Sequence, residues 1–281
     1  MTIWDNRLLF GTAGVPESSA ENSTLEGIKH VHALGLDCME IEFVRGIRLK
    51  PDMAVRIKKQ AAHLNISLSA HAPYYINLNS DETGKRLVSQ ERILHSARIS
   101  QICGVRNLVF HAGYYGKKSP QSTFETIKEG LKEVLSILRS ERNTVCLRVE
   151  TMGKKAQFGS LEEVLFLCRE VEGLQPCIDF SHIHAREGKI NSYSEFIRII
   201  RKIKKKLGNE SVKNMHIHIS GAEYNEKGEL RHLNLADSDF CYDEWISAVK
   251  DFVITGSVIS ESPVQEQDAL MLKKLYYGME G

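Results

Sequence analysis

The chain has 281 residues, with 37 Lys and Arg against 36 Asp and Glu and a formal charge of +1. That balance excludes a global electrostatic pull toward nucleic acid or an anionic membrane, so any polyanion must be met by a local patch. The length suits one domain with a substantial core, residues 1–281, and no window approaches the roughly 18 apolar residues of a membrane span.

Strand-like and helix-like patterns alternate from end to end. RLLFGTAG is followed by TLEGIKHVHALG, where Leu25, Ile28, Val31 and Leu34 stand at helical spacing. CMEIEF precedes a helix around Met53 to Leu64, and SLSAHAP precedes an amphipathic stretch from Gly84 to Cys103. NLVFHAG leads to a helix from about Thr123 to Leu138, and VCLRVET to one opened by Ser160, where SLEE has the form of a capping box. PCIDFSH precedes Tyr193 to Leu207, NMHIHIS precedes Asp243 to Phe252, and SVISESP precedes Gln265 to Tyr277.

These are eight β-then-α units in 281 residues, which predicts a (β/α)8 TIM barrel. A doubly wound open sheet is disfavoured because FGTAGVP lacks the glycine spacing of a dinucleotide turn.

Six of the strand-like runs end in side chains that bind metals: His71, His111, Glu150, Asp179 with His182, His216, and Glu261. Acids and imidazoles at the ends of buried strands are costly unless a partner compensates them, and a barrel gathers strand C-termini at one rim. Mixed imidazole and carboxylate donors suit zinc, manganese or iron. In MHIHI, His216 and His218 share one side of a strand; one is deeper and the other at the rim, and the pattern does not say which is the ligand. Glu150 and Glu261 stand where a carboxylate bridges ions, the alternative for Glu261 being a pair with Arg148.

The six cysteines, Cys38, Cys103, Cys146, Cys168, Cys177 and Cys241, contain no CxxC pair and read as buried free thiols in a reducing compartment. MTIWDNRLLF has no signal-peptide form, so a cytoplasmic protein is expected, and a monomer is the default. The run from Arg201 to Lys206 reads as the solvated C-terminal turn of a helix.

In order along the chain, HAPYYINLNS, FHAG, RVET, CIDFSHIH, NMHIH, GELRHL and ISESP resemble the endonuclease IV family of apurinic/apyrimidinic-site nucleases, within the xylose isomerase-like barrels. The resemblance implies three zinc ions. His71, His111 and Glu150 would hold one, Glu150, Asp179, His216 and Glu261 a second, and His182 with His232 the third. It also implies hydrolysis of double-stranded DNA 5′ to abasic lesions, with Glu150 and Glu261 as catalytic carboxylates. The resemblance places Tyr74 in a loop that would enter the duplex, and Arg45 and Arg48, in the loop after the second strand, are candidates for backbone contact or wedging.

The chain departs from the pattern where an aspartate is expected two residues before His232: Leu230 stands there, with Glu229 one step away. HISGAE and FHAG depart as well, and His184 and His218 are left without an assignment. Two further readings stay open. One is a sugar isomerase or epimerase with a single ion, manganese for instance, on Glu150, Asp179, His216 and Glu261. The other is a DNA-binding relative with an impaired metal site.

Overall fold

In the computed structural model, which describes residues 7–43, 46–188 and 190–278, the apolar runs become the staves of a closed barrel. Strands β1 (Leu8–Ala13), β2 (Cys38–Glu42), β3 (Ser67–His71), β4 (Asn107–Phe110), β5 (Cys146–Glu150), β6 (Gln175–Asp179) and β7 (Met215–Ile219) are parallel neighbours in that order. Next, β8 (Gly221–Asn225) and β9 (Gly228–Leu233) form an antiparallel hairpin outside the barrel, and β10 (Gly256–Ser260) closes the ring between β7 and β1. The TIM barrel expected from the pattern is the fold.

Helices α1 (Thr24–Ala33), α2 (Pro51–Leu64), α3 (Thr83–Cys103), α4 (Pro120–Ser140) and α5 (Leu161–Glu170) follow the first five strands. After β6 come α6 (Phe180–Glu187) and α7 (Tyr193–Leu207), after the hairpin α8 (Tyr242–Asp251), and after β10 α9 (Gln265–Tyr277). The amphipathic helices turn an apolar stripe toward the core. In α4 that stripe is Phe124, Ile127, Leu131, Val134 and Leu138, all buried at three- and four-residue spacing. Ser160 and Glu163 form the expected capping box of α5, and Lys204 to Lys206 are the solvated last turn of α7. Gly11 has no alternative on β1, because a Cβ there would lie 1.8 Å from the Cys38 carbonyl oxygen of β2.

Three expectations need correction. The pattern read one helix after β6, whereas α6 intervenes, and the β8–β9 hairpin was not read at all. Arg148 does not pair with Glu261: its guanidinium points to the opposite end of the barrel and binds Asn107 Oδ1 (2.7 Å), the Pro176 carbonyl (3.0 Å) and the Asn214 carbonyl (2.9 Å). The cysteines are free thiols, but Cys241 is exposed and Cys146 half-buried. No helix among the described residues is long and apolar enough to cross a membrane.

Candidate metal centre

Strand alternation and strand length place the polar side chains. β3, β5 and β6 finish on His71, Glu150 and Asp179, while His111 and Glu261 follow the last residues of β4 and β10. Asp179 also caps α6, its Oδ1 accepting the His182 backbone N–H at 2.6 Å, and so sets His182 in the first helical turn beside it.

Glu150 lies at the centre. Its Oε2 is 3.2 Å from His71 Nε2 and 2.9 Å from His111 Nε2, while its Oε1 is 3.2 Å from His182 Nδ1 and 3.5 Å from His218 Nδ1. His218 Nδ1 is also 3.2 Å from Glu261 Oε1. A third cluster follows at the rim, where His182 Nε2 is 3.4 Å from Glu229 Oε2 and His232 Nε2 is 3.3 Å from Glu229 Oε1. Three groups therefore bring donor atoms within 4.8 Å of one another: His71, His111 and Glu150; Glu150, Asp179, His218 and Glu261; and His182, Glu229 and His232.

Tautomer geometry tests whether cations fit. His71 Nδ1 donates to the Ala72 carbonyl (2.8 Å), His182 Nδ1 to that of Thr151 (2.9 Å) and His232 Nδ1 to that of Glu261 (3.0 Å). Each neutral ring then carries its lone pair on Nε2, the nitrogen that faces a carboxylate oxygen. Two acceptors facing each other need a proton or a metal ion between them, and a backbone bond that fixes the far nitrogen is the usual support of a metal-ligating histidine. Asp179 Oδ2 and His218 Nδ1 are buried without a hydrogen-bond partner among the described residues. The donor set fits divalent ions.

In the metal-free chain, protons balance these charges. Burial pushes the Asp179 carboxyl up to about 6, His182 opposing and Glu261 and Glu150 adding to the rise. Burial resists charge on His71 and His232, yet Glu150 and Glu42 beside the first ring and Glu229 beside the second prevail and raise both to about 9. Burial likewise resists ionisation of Glu261 and Glu229, but His218 and His232 respectively hold them at about 2. His111 goes the other way, because its burial outweighs the attraction of Glu150.

A β-bulge explains the missing aspartate. Glu223 pairs with Arg231 and Tyr224 with Glu229, so Leu230 is the extra residue of β9 and lies 50% exposed. The bulge turns Glu229, three residues before His232, to the face that residue 230 would occupy in a regular strand. Glycines let the hairpin approach: a Cβ on Gly228, at φ +98°, would lie 2.1 Å from the Gly153 carbonyl oxygen, and one on Gly153 would lie 2.7 Å from Glu229 Cβ.

Of the residues expected from sequence, His71, His111, Glu150, Asp179, His182, His232 and Glu261 converge at the mouth. His216 does not: β7 pairs His218 with Asp179 and His216 with Ser257, which leaves His216 one layer below, where its Nε2 donates to Glu40 at 2.8 Å. His218 takes its place. His184 faces away, bonded to Asp239. Tyr74 is 44% exposed and stacks on His111 at 5.3 Å between ring centroids. Arg48 is exposed and lines a cavity beside Glu42, while Arg45 lies outside the described residues.

Sequence reasoning missed Glu40 beneath the mouth, Glu42 beside it and Glu229 in its outermost group. For the first two a signal existed: CMEIEF puts two acids at alternate positions of an otherwise buried strand. Both Glu42 oxygens are buried without a partner among the described residues, and burial, with Glu40 and Glu261 adding to it, raises the carboxyl to about 8. A cleft of about 300 Å³ opens over the three groups, with Tyr74, Tyr114 and Lys154 on its lip. A cavity of about 340 Å³ on the flank, against α5, α6 and α7, contains none of the donors.

Residues 28–275 match the family model of the xylose isomerase-like TIM barrel. The chain is 46% identical over 270 residues to the uncharacterized protein MJ0133 of Methanocaldococcus jannaschii, with 96% of this chain and 97% of that protein covered. It is 26% identical over 176 residues to the probable endonuclease 4 of Persephonella marina, a match over 62% of this chain and 61% of that protein. Among solved structures, endonuclease IV from Thermus thermophilus superposes with a TM-score of 0.72 at 18% identity, covering 97% of this chain and 98% of that one. A D-tagatose 3-epimerase-like protein superposes with a TM-score of 0.75 at 17% identity, 96% of each chain being covered. The chain belongs to the family of xylose isomerase-like TIM barrels, with endonuclease IV proteins among its relatives.

Proposed function

We propose that this protein is a metal-dependent phosphodiesterase of the endonuclease IV type that cuts double-stranded DNA 5′ to abasic sites. One observation carries the reading: Glu150 presents one carboxylate oxygen to His71 and His111 and the other to His182 and His218, so a single side chain joins neighbouring donor groups. That spacing suits a cluster acting on one phosphate. Two or three divalent ions, zinc above all, held by His71, His111, Glu150, Asp179, His182, His218, Glu229, His232 and Glu261, would supply Lewis acidity toward a phosphoryl oxygen and lower the pKa of a water.

The chain's own residues supply the rest. Glu150 sets the separation of the groups, and Glu261, held ionised, closes the second group and accepts a hydrogen bond from attacking water. Tyr74 and Tyr114 offer flat faces at the lip for an extruded nucleotide or the base beside the gap, and Lys154 a cation for the phosphate. Arg48, exposed on the β2 side beside Glu42, would meet the backbone.

A second reading, a sugar isomerase or epimerase with one ion, is favoured by the completeness of Glu150, Asp179, His218 and Glu261 as a group on its own. It leaves the His182, Glu229 and His232 group without a use. The deciding experiment loads the purified protein with zinc, counts bound metal and offers a duplex with a tetrahydrofuran lesion. Two or more equivalents with a nick 5′ to the lesion support the nuclease. One equivalent, no nick and interconversion of ketoses would transfer the assignment to the isomerase.

A further inference from the structure

Beneath the mouth lies a second polar layer that the proposed reaction does not use. Cys177, His216 and Glu40 each stand two residues before a mouth residue, on β6, β7 and β2, and all are fully buried. The sulfur of Cys177 and one ring nitrogen each of His216 and His218 lie within 4.8 Å of one another. His216 Nε2 donates to Glu40 Oε2 at 2.8 Å, which leaves its Nδ1 with a bare lone pair and no partner among the described residues. His218 Nε2 sits 2.9 Å from Glu40 Oε1, yet neither atom has a hydrogen bond of acceptable direction.

His216 Nδ1, His218 Nε2 and Glu40 Oε1, gathered in a dry interior with no hydrogen-bond partner among the described residues, are costly unless a cation holds them. We propose that Cys177, His216 and His218, with Glu40 alongside, form an inner site for a thiophilic divalent ion of the zinc class. His218 presents its Nδ1 to Glu150 and Glu261 and its Nε2 to the inner layer, so with both ions bound its ring would give up its N–H proton to solvent and bridge them as an imidazolate. The thiol, two imidazoles and a carboxylate match the donor preferences of zinc, whereas magnesium and calcium prefer oxygen alone. The site shares His218 with the mouth but takes no part in the proposed reaction, and because it is closed to solvent its ion has a structural role rather than a catalytic one.

Cobalt reports on it. The reduced full-length protein and Cys177→Ser are loaded with Co²⁺, and absorption and metal content are compared. A thiolate-to-cobalt charge-transfer band in the parent, lost in Cys177→Ser together with one equivalent of metal while the remaining equivalents stay, is the expected result. A band that survives the substitution, or equal metal content with no band in the parent, overturns the proposal and leaves the layer as a polar network. Should Cys177→Ser fail to fold, zinc-edge X-ray absorption on the parent decides instead. A sulfur shell at about 2.3 Å supports the inner site, and a spectrum of nitrogen and oxygen alone refutes it.

Discussion

The two ends of this barrel bury charge in opposite ways. At the floor, fully buried Arg148 has its nitrogens matched to Asn107 Oδ1 and two carbonyl oxygens at 2.7 to 3.0 Å. At the mouth, Asp179 Oδ2, both Glu42 oxygens and His218 Nδ1 are buried with no partner among the described residues. A satisfied buried charge is a structural tie, whereas a crowd of unsatisfied acceptors is a site waiting for a cation. Burial of a polar side chain alone did not separate the two. The direction of its hydrogen bonds does.

Breaking that comparison from the mouth side should give the largest effect. Glu150→Gln removes the charge that joins two donor groups, and nicking of a lesion duplex is expected to fall on the order of 10³-fold with the circular dichroism unchanged. Normal turnover in this variant would remove Glu150 from the reaction. From the floor side, Arg148→Met leaves Asn107 and two carbonyls unpaired, and urea unfolding should show a loss of about 3 kcal/mol with the bound metal per chain unaltered. If instead this variant lost metal and kept its stability, the division of labour between the two ends would be wrong.

That division was partly legible in the amino-acid order. The eight staves and the acids and histidines that end them follow from apolar runs punctuated by His and Glu, because a parallel strand buried on both faces writes itself as a continuous hydrophobic segment. Depth was not legible. His216 and His218 have the same side of β7, and only pairing of His218 with Asp179 puts it at the mouth. The hairpin was hidden because β8 and β9 are polar and largely solvated, and the bulge at Leu230 moved the acid one position from where a regular strand would carry it. Glu40 and Glu42 were written plainly in CMEIEF, where two acids alternate within an otherwise apolar strand, but neither ends its run in the way that singled out the other six.

The hairpin sharpens the comparison further, because its half of the mouth depends on backbone approach. A methyl at Gly153 would stand 2.7 Å from Glu229 Cβ and 3.0 Å from His182 Cδ2, pressing on two of the three donors of the outermost group. Gly153→Ala should weaken the last ion to bind by about tenfold, measured by competition with a chromophoric chelator, and leave the earlier equivalents alone. Equal loss of every equivalent would mean that the groups do not load separately.

The gentlest probe is pH, which acts on the mouth and leaves the floor untouched. In the metal-free protein His71 and His232 hold their protons up to about 9 and Glu42 up to about 8. All three lie above their ordinary values, so between those values and about pH 9 the folded chain binds more protons than the unfolded one, and its stability falls as pH rises through that window. Glu261 and Glu229, held at about 2, act in the opposite sense, and their contribution is lost only as pH drops from the ordinary carboxylate range toward 2. Ions occupying the same gaps would displace the histidine protons and free the loaded protein from this loss. The gap in Tm between zinc-loaded and chelated protein should therefore widen steadily from about pH 6 to about pH 9. Parallel curves would show that the imidazole protons and the metal ions do not compete for the same lone pairs, and with that the reading of the mouth as a metal cage would fail.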